Sequence, residues 1–161
     1  MKTLTLEHFY PADPKDVWDL AIDLDAFHEI MGHMITFEGL PSGKIYKGQS
    51  IDVKTSLFGK LPKQAYHMEV VECDHDKMMF LSSERGSGVQ KWQHHLTITP
   101  KDGGALLKDH IEIEANIKLL TPLFALWAKH IYEARHQPRL EILARNGLLN
   151  SEEPKQIVDL A

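Results

Sequence analysis

One cysteine, no long apolar run and a deficit of positive charge set the first limits on this chain. Cys73 alone permits no intrachain disulfide framework and no cysteine-rich zinc site, and a reducing compartment suits it. No segment approaches the roughly 20 apolar residues that span a bilayer. The opening run Met1-Lys2-Thr3-Leu4-Thr5-Leu6-Glu7-His8 is broken by charge too early for a secretory signal. Stable membrane insertion is therefore not expected, and a cytoplasmic location is. Lys and Arg number 18 against 23 Asp and Glu, a net charge of −5. Phosphate backbones and anionic lipid find no general attraction here, so nucleic acid is not an expected partner. What remains is 161 residues, 43% hydrophobic and 25% charged, enough for one globular domain with a sizeable core. A homodimer is among the assemblies these totals allow.

Alternation from Thr3 to Tyr10 predicts a first strand, stopped by Pro11-Ala12-Asp13-Pro14. Asp13 is placed to cap a helix, Pro14 suits its first position, and Val17, Trp18 and Ala21 supply a buried side. A second short helix is expected from Asp25, as cap, through Phe27, Ile30 and Met31 to Gly32. Nothing basic faces outward from this helix pair, which argues against a DNA reader. From Met34 to Ala115 turn formers separate alternating runs, predicting strands near 34–39, 48–58, 63–73, 77–84, 88–99 and 105–115. Their connections are too short for crossover helices, so the sheet should be antiparallel.

Thr121-Pro122 repeats the cap-then-proline pattern. Leu120, Phe124, Trp127, Ile131, Ala134, Pro138 and Ile142 then recur at helical spacing. Asn146-Gly147 is the stop, giving a helix of about 26 residues, about 39 Å long. Pro138 should kink or break it. One domain over residues 1–147 is expected, with 148–161 as a loosely attached tail.

Strand, two short helices, six more strands and a long C-terminal helix resemble the Bet v 1-like superfamily with its START-like and polyketide cyclase-like proteins (SRPBCC). Pro11-Ala12-Asp13-Pro14-Lys15-Asp16-Val17-Trp18 is similar to the family's strand-to-helix transition. Lys91-Trp92-Gln93-His94-His95 with Leu107-Lys108-Asp109-His110-Ile111 is similar to a Trp-x-His strand and Asp-containing next strand in a bacterial branch of uncharacterised members. The resemblance implies an α+β helix-grip fold, a curved seven-stranded antiparallel sheet around the C-terminal helix. It also implies a pocket between them, which in relatives receives lipids, sterols, polyketides or plant hormones. Some relatives catalyse cyclisation or dehydration and others bind or deliver, so fold does not fix function.

A two-residue turn at Asp102-Gly103 would set Trp92 opposite Ile113, His94 opposite Ile111, and Leu96 opposite Asp109. His94 and Asp109 then become diagonal neighbours, about 7–8 Å apart at the backbone, on an apolar face. Asp109 would orient His94 as an acid or base, or the two would only satisfy each other at a cavity rim. Trp92, Ile111, Phe124, Trp127 and Ile131 are candidate lining residues with this pair, or plain core. His130 sits on the flank of the helical stripe, where it would turn a polar edge inward and help orient a ligand's polar end, and His136 lies on the far side, toward solvent. Arg135 and Arg139, at its margin, read as surface pairs or as contacts to an acidic head group.

Ten histidines invite a metal. Their spacing does not support one, because His94 and His95 point to opposite faces and no His-Glu-x-x-His occurs. No phosphate loop is present, and no metal or cofactor is expected. The leading expectation is a small hydrophobic or amphipathic ligand held between sheet and helix. A cyclase or dehydratase using His94 and a protein-interaction module stand as alternatives.

Overall fold

Seven strands form one antiparallel sheet in the order β1-β7-β6-β5-β4-β3-β2. They are β1 (Lys2–Tyr10), β2 (Ile35–Glu38), β3 (Ser50–Leu57), β4 (Gln64–Asp74), β5 (Met79–Gly86), β6 (Val89–Lys101) and β7 (Gly104–Ala115). Helices α1 (Pro14–Ala21) and α2 (Leu24–Met31) follow β1, and α3 (Thr121–Ala134) and α4 (His136–Arg145) follow β7. The structure, a computed structural model, describes residues 1–151. The expected α+β helix-grip architecture is present, with the curled sheet around the C-terminal helical arm.

The β6–β7 hairpin has the register its turn predicts. Asp102 and Gly103 both take positive φ, as a tight two-residue hairpin turn requires. Trp92 then pairs with Ile113, His94 with Ile111, and Leu96 with Asp109.

Three local expectations need correction. Asp13 does cap α1, accepting from the Lys15 amide, but α2 is capped by Asp23, which accepts from the amides of Asp25 and Ala26. The Asp25 carboxylate accepts instead from the Gly43 amide, tying α2 to the following loop. Thr121 is not a cap either: its hydroxyl accepts from the Ala115 amide and fastens the start of α3 to the end of β7.

The third correction is the largest. The long helix breaks as Pro138 predicts, but at Arg135, three residues earlier than expected. Pro138 cannot donate to Ala134, and its ring would collide with that carbonyl, so the last turn of α3 gives way there. The Arg135 amide reaches back only to the Tyr132 carbonyl, and α4 restarts with Pro138 in its first turn.

The covered face of the arm keeps Ile131 and Ile142 from the stripe that spacing selects and replaces its other members. Thr121, Ala125, Ala128, Ile131 and Tyr132 are the buried positions of α3, whereas Leu120 is exposed. Alanines let α3 lie close on β1 and β7, which leaves the larger Phe124 and Trp127 facing sideways into the interior. Two hydrophobic clusters border that interior, one around Trp18, Leu96 and Leu107 and one around Trp92, Ile113 and Tyr132. Of the expected tail, Leu148 and Leu149 pack on the first cluster, and the Asn150 amide donates to the Pro11 carbonyl. Residues 152–161 of that tail lie outside the described residues.

Candidate functional site

Between the sheet, α2 and the α3–α4 arm lies a cavity of about 550 Å³ with mostly apolar walls. Trp92 and His94 reach it from β6, and Phe124, Trp127 and Ile131 from α3. Ile111 and Asp109 do not line it: Ile111 is fully covered within the second cluster, and Asp109 stands behind His94. Phe58, Leu61 and Leu123 line the cavity and are also exposed, so they mark its mouth. Across that mouth the Phe58 ring meets Trp127 edge-on at 5.9 Å.

The diagonal β6–β7 pair closes as a buried hydrogen bond. His94 Nε2–H donates to Asp109 Oδ1 at 2.7 Å, with the His94 side chain 5% exposed and that of Asp109 fully covered. Phe80 and Tyr132 stand edge-on to the imidazole at 5.1 and 4.9 Å, fixing the ring between them. Burial alone would raise the Asp109 carboxyl, but the His94 bond and the charges of His94, Arg139 and Arg135 outweigh it. The carboxyl is held below its ordinary value. Its second oxygen, Oδ2, is buried without a partner.

A second polar group sits on the same sheet wall, one strand away on β5. Glu84 lines the cavity and accepts from the Tyr66 hydroxyl at 2.7 Å and from Ser82 Oγ at 2.9 Å. Burial, then the Glu84 charge, pushes the Tyr66 hydroxyl well above its ordinary range, so it stays a donor. Burial likewise raises the Tyr132 hydroxyl.

Arg135 and Arg139 are not surface residues. They are 7% and 4% exposed, and both line the cavity. The Arg135 guanidinium lies 3.9 Å from the Tyr132 ring centre and 5.3 Å from that of Phe27, a cation held against two aromatic faces. Arg139 lies near Asp109 and Tyr10. Burial works against its charge, and Tyr10 and Asp109 more than restore it. Among the described residues neither guanidinium has an ion-pair partner, and Arg135 Nε and Arg139 Nε and Nη1 are buried without a hydrogen bond.

Two histidines fall elsewhere than expected. His130 is exposed beside Trp127 and does not reach the cavity. His136 does not face solvent: half-buried, it stacks on His8 at 5.0 Å and tilts against Tyr10 at 4.8 Å. Among the described residues no three His, Cys, Asp or Glu side chains converge as metal ligands would, and no helix is long and apolar enough to cross a membrane.

Sequence reasoning missed Tyr66, Ser82, Glu84 and Tyr132. One signal was available: alternation along β5 puts Phe80, Ser82 and Glu84 on one face, so a carboxylate follows an aromatic ring into the interior.

A family model described as a domain of unknown function (DUF8410) matches residues 10–142. No curated protein matches the chain. Among solved structures it is similar to Ara h 8.0201, with a TM-score of 0.71 and 14% identity over 90% of this chain and 99% of that one. It is also similar to a START superfamily protein from Mycobacterium smegmatis, with a TM-score of 0.69 and 11% identity over 89% of this chain and 98% of that one. Norcoclaurine synthase from Thalictrum flavum, solved in complex with dopamine and hydroxybenzaldehyde, gives a TM-score of 0.67 and 14% identity over 89% and 87%. At such identities the likeness is one of fold, the Bet v 1-like and START-like fold.

Proposed function

The chain belongs to the DUF8410 family, and for this member we propose the binding of a small hydrophobic or amphipathic molecule between the sheet and the α3–α4 arm. One observation carries the reading, the cavity of about 550 Å³ whose apolar walls meet a few polar groups at fixed positions. Small-molecule pockets run from about 300 to 1,000 Å³ and have this composition. Apolar walls supply affinity by leaving water, and polar groups already held by their neighbours orient the ligand without further ordering. The hollow interior favours this reading over a protein-interaction module, whose core would be filled.

Native mass spectrometry of the purified protein, followed by solvent extraction, should reveal a bound small molecule. Ile35→Trp, which fills the cavity from its β2 wall, should abolish that binding while leaving the fold intact. A folded I35W variant that carries the same ligand at the same occupancy would overturn the assignment.

A second reading has its own support in the His94–Asp109 bond. With Nε2 engaged, Nδ1 is the nitrogen left for a ligand, and the carboxylate behind the imidazole fixes its tautomer and orientation. His94 would then move a proton in an enolisation, cyclisation or dehydration. His94→Gln should weaken binding if the residue only orients a ligand. It should abolish turnover with binding retained if the residue is the acid or base.

A further inference from the structure

We propose that the occupant of this cavity is an anionic amphipath, a carboxylate on an apolar body, whose head group is gripped by Arg135 and Arg139. The proposal rests on the ligand-binding reading above and names the class of ligand.

Buried guanidinium groups without partners are the observation that demands an explanation. An isolated charge removed from water is strongly unfavourable, and proteins that bury arginine give it a carboxylate or coordinate something with it. Two carboxylates stand close by. Asp109 accepts from His94 through Oδ1 and keeps Oδ2 without a partner, and both oxygens of Glu84 accept hydroxyls, from Tyr66 and Ser82. Neither makes an ion pair with Arg135 or Arg139 among the described residues. Three guanidinium nitrogens are thus left buried and unpaired on the wall of a cavity. The Tyr10 hydroxyl sits beside Arg139. A planar acceptor with two oxygens satisfies such a set, because an arginine fork matches a carboxylate bidentately. Tyr132 and Phe27 hold the Arg135 guanidinium in place on the cavity wall.

The body of the ligand follows from the position of the arginines. Leu123 at the mouth and Arg135 are separated by twelve residues of one helix, about 18 Å at the standard rise. Between them the wall is Phe124, Trp127 and Ile131, facing Trp92 and Val89. An anion at the arginines therefore sits at the inner end, and whatever joins it to the mouth lies along apolar surface. A free inorganic anion would leave that surface uncovered, whereas an alkyl or aryl carboxylate covers it.

Binding of laurate, dodecanol and dodecyl phosphate to the whole chain at neutral pH tests the assignment, read by calorimetry and by the fluorescence of Trp92 and Trp127. Laurate should bind about ten- to a hundredfold tighter than dodecanol, the value of a charge-assisted bond. Arg139→Met and Arg135→Met should each erase most of that difference while dodecanol affinity holds. Arg139→Lys should keep part of it, and serves if the methionine variants fold poorly. Equal affinity for laurate and dodecanol in the wild type, with both displaced by Ile35→Trp, would overturn the head-group assignment and leave the pocket reading standing. Dodecyl phosphate binding tighter than laurate would overturn the carboxylate class. Binding of none of the three would overturn both readings.

Discussion

Replacing Asp109 separates a structural strut from a ligand-facing group, because its carboxylate touches the cavity only through His94. Asp109→Asn keeps an oxygen that accepts from His94 Nε2–H, so the bond survives without its charge. A hydrogen bond to a charged group is worth about 1.5–3 kcal/mol and a neutral one about 0.5–1.5, so the loss should be about 1–1.5 kcal/mol. Asp109→Ala removes the acceptor altogether. It leaves His94 Nε2–H without a partner and deprives Arg139 and Arg135 of a neighbouring negative charge. Breaking one side of a buried pair in this way costs about 3–5 kcal/mol. The paired replacement His94→Phe with Asp109→Leu removes both polar groups and should recover at least about half of that loss, because well-packed apolar groups often replace a buried pair neutrally. The unpaired Oδ2 of the wild type points the same way, since it is a desolvated acceptor that the double variant eliminates.

Urea unfolding at pH 7, followed by the fluorescence of buried Trp18 and Trp92, measures these differences by linear extrapolation. The expected order of stability is wild type, Asp109→Asn, the double variant, then Asp109→Ala. A coupling energy between His94 and Asp109 near zero in the double-mutant cycle would refute the reasoning, as would an Asp109→Ala loss below about 1 kcal/mol.

Acid should weaken the fold before the carboxylates titrate. Burial is the main cause that holds His8, His95 and His136 below the ordinary histidine value, with the His8–His136 contact and Arg139 adding to it at His136. Below about pH 6.5 the unfolded chain binds protons that the folded chain resists, so stability falls as pH drops from there toward the lowered folded values. Asp109, itself held low, contributes stability above about pH 3.9 that goes only below it. Unfolding free energy measured from pH 7.5 to 4 should show the early decline, and His136→Phe should reduce it; a flat profile down to pH 4.5 would contradict the burial argument. Pro138→Ala should change stability by less than about 1 kcal/mol, because Pro138 occupies the first turn of α4, where an amide has no partner within the helix. A gain near 3 kcal/mol would mean that the proline strains the arm rather than fitting it.

The sheet was legible because its signals are local. Asp102-Gly103 dictates a turn, the turn dictates the register, and the register places His94 diagonal to Asp109 with no knowledge of the rest of the molecule. Trp92 and His94 on the cavity wall follow from the same step. The helical arm was legible in existence and length but only partly in phase, with Ile131 and Ile142 covered as spacing predicts. Large apolar residues at helical spacing identify an apolar side, and here that side belongs partly to a cavity. The residues against the sheet are Ala125 and Ala128, whose small size carries little pattern. Glu84 and Tyr66 were hidden for a related reason: their inward positions follow from alternation, but a carboxylate reads as an outward residue unless its hydroxyl partners are known.

The arginines show how one residue's backbone chemistry sets the character of the site. In an unbroken helix each successive residue advances the direction of its side chain by a constant angle, and Arg135 and Arg139 fall at the margin of the Phe124–Ile131 face. Pro138 prevents that continuation at the Ala134 carbonyl, and the arm restarts after Arg135. Arg135 thereby sits at the break, its ring contacts with Tyr132 and Phe27 holding it inward. Arg139, one turn into α4, lies over Tyr10 and toward Asp109. A charge pair that belongs on a surface is thus carried into an apolar interior by a missing amide three residues away. The inner end of the cavity differs in kind from its mouth because the arm bends.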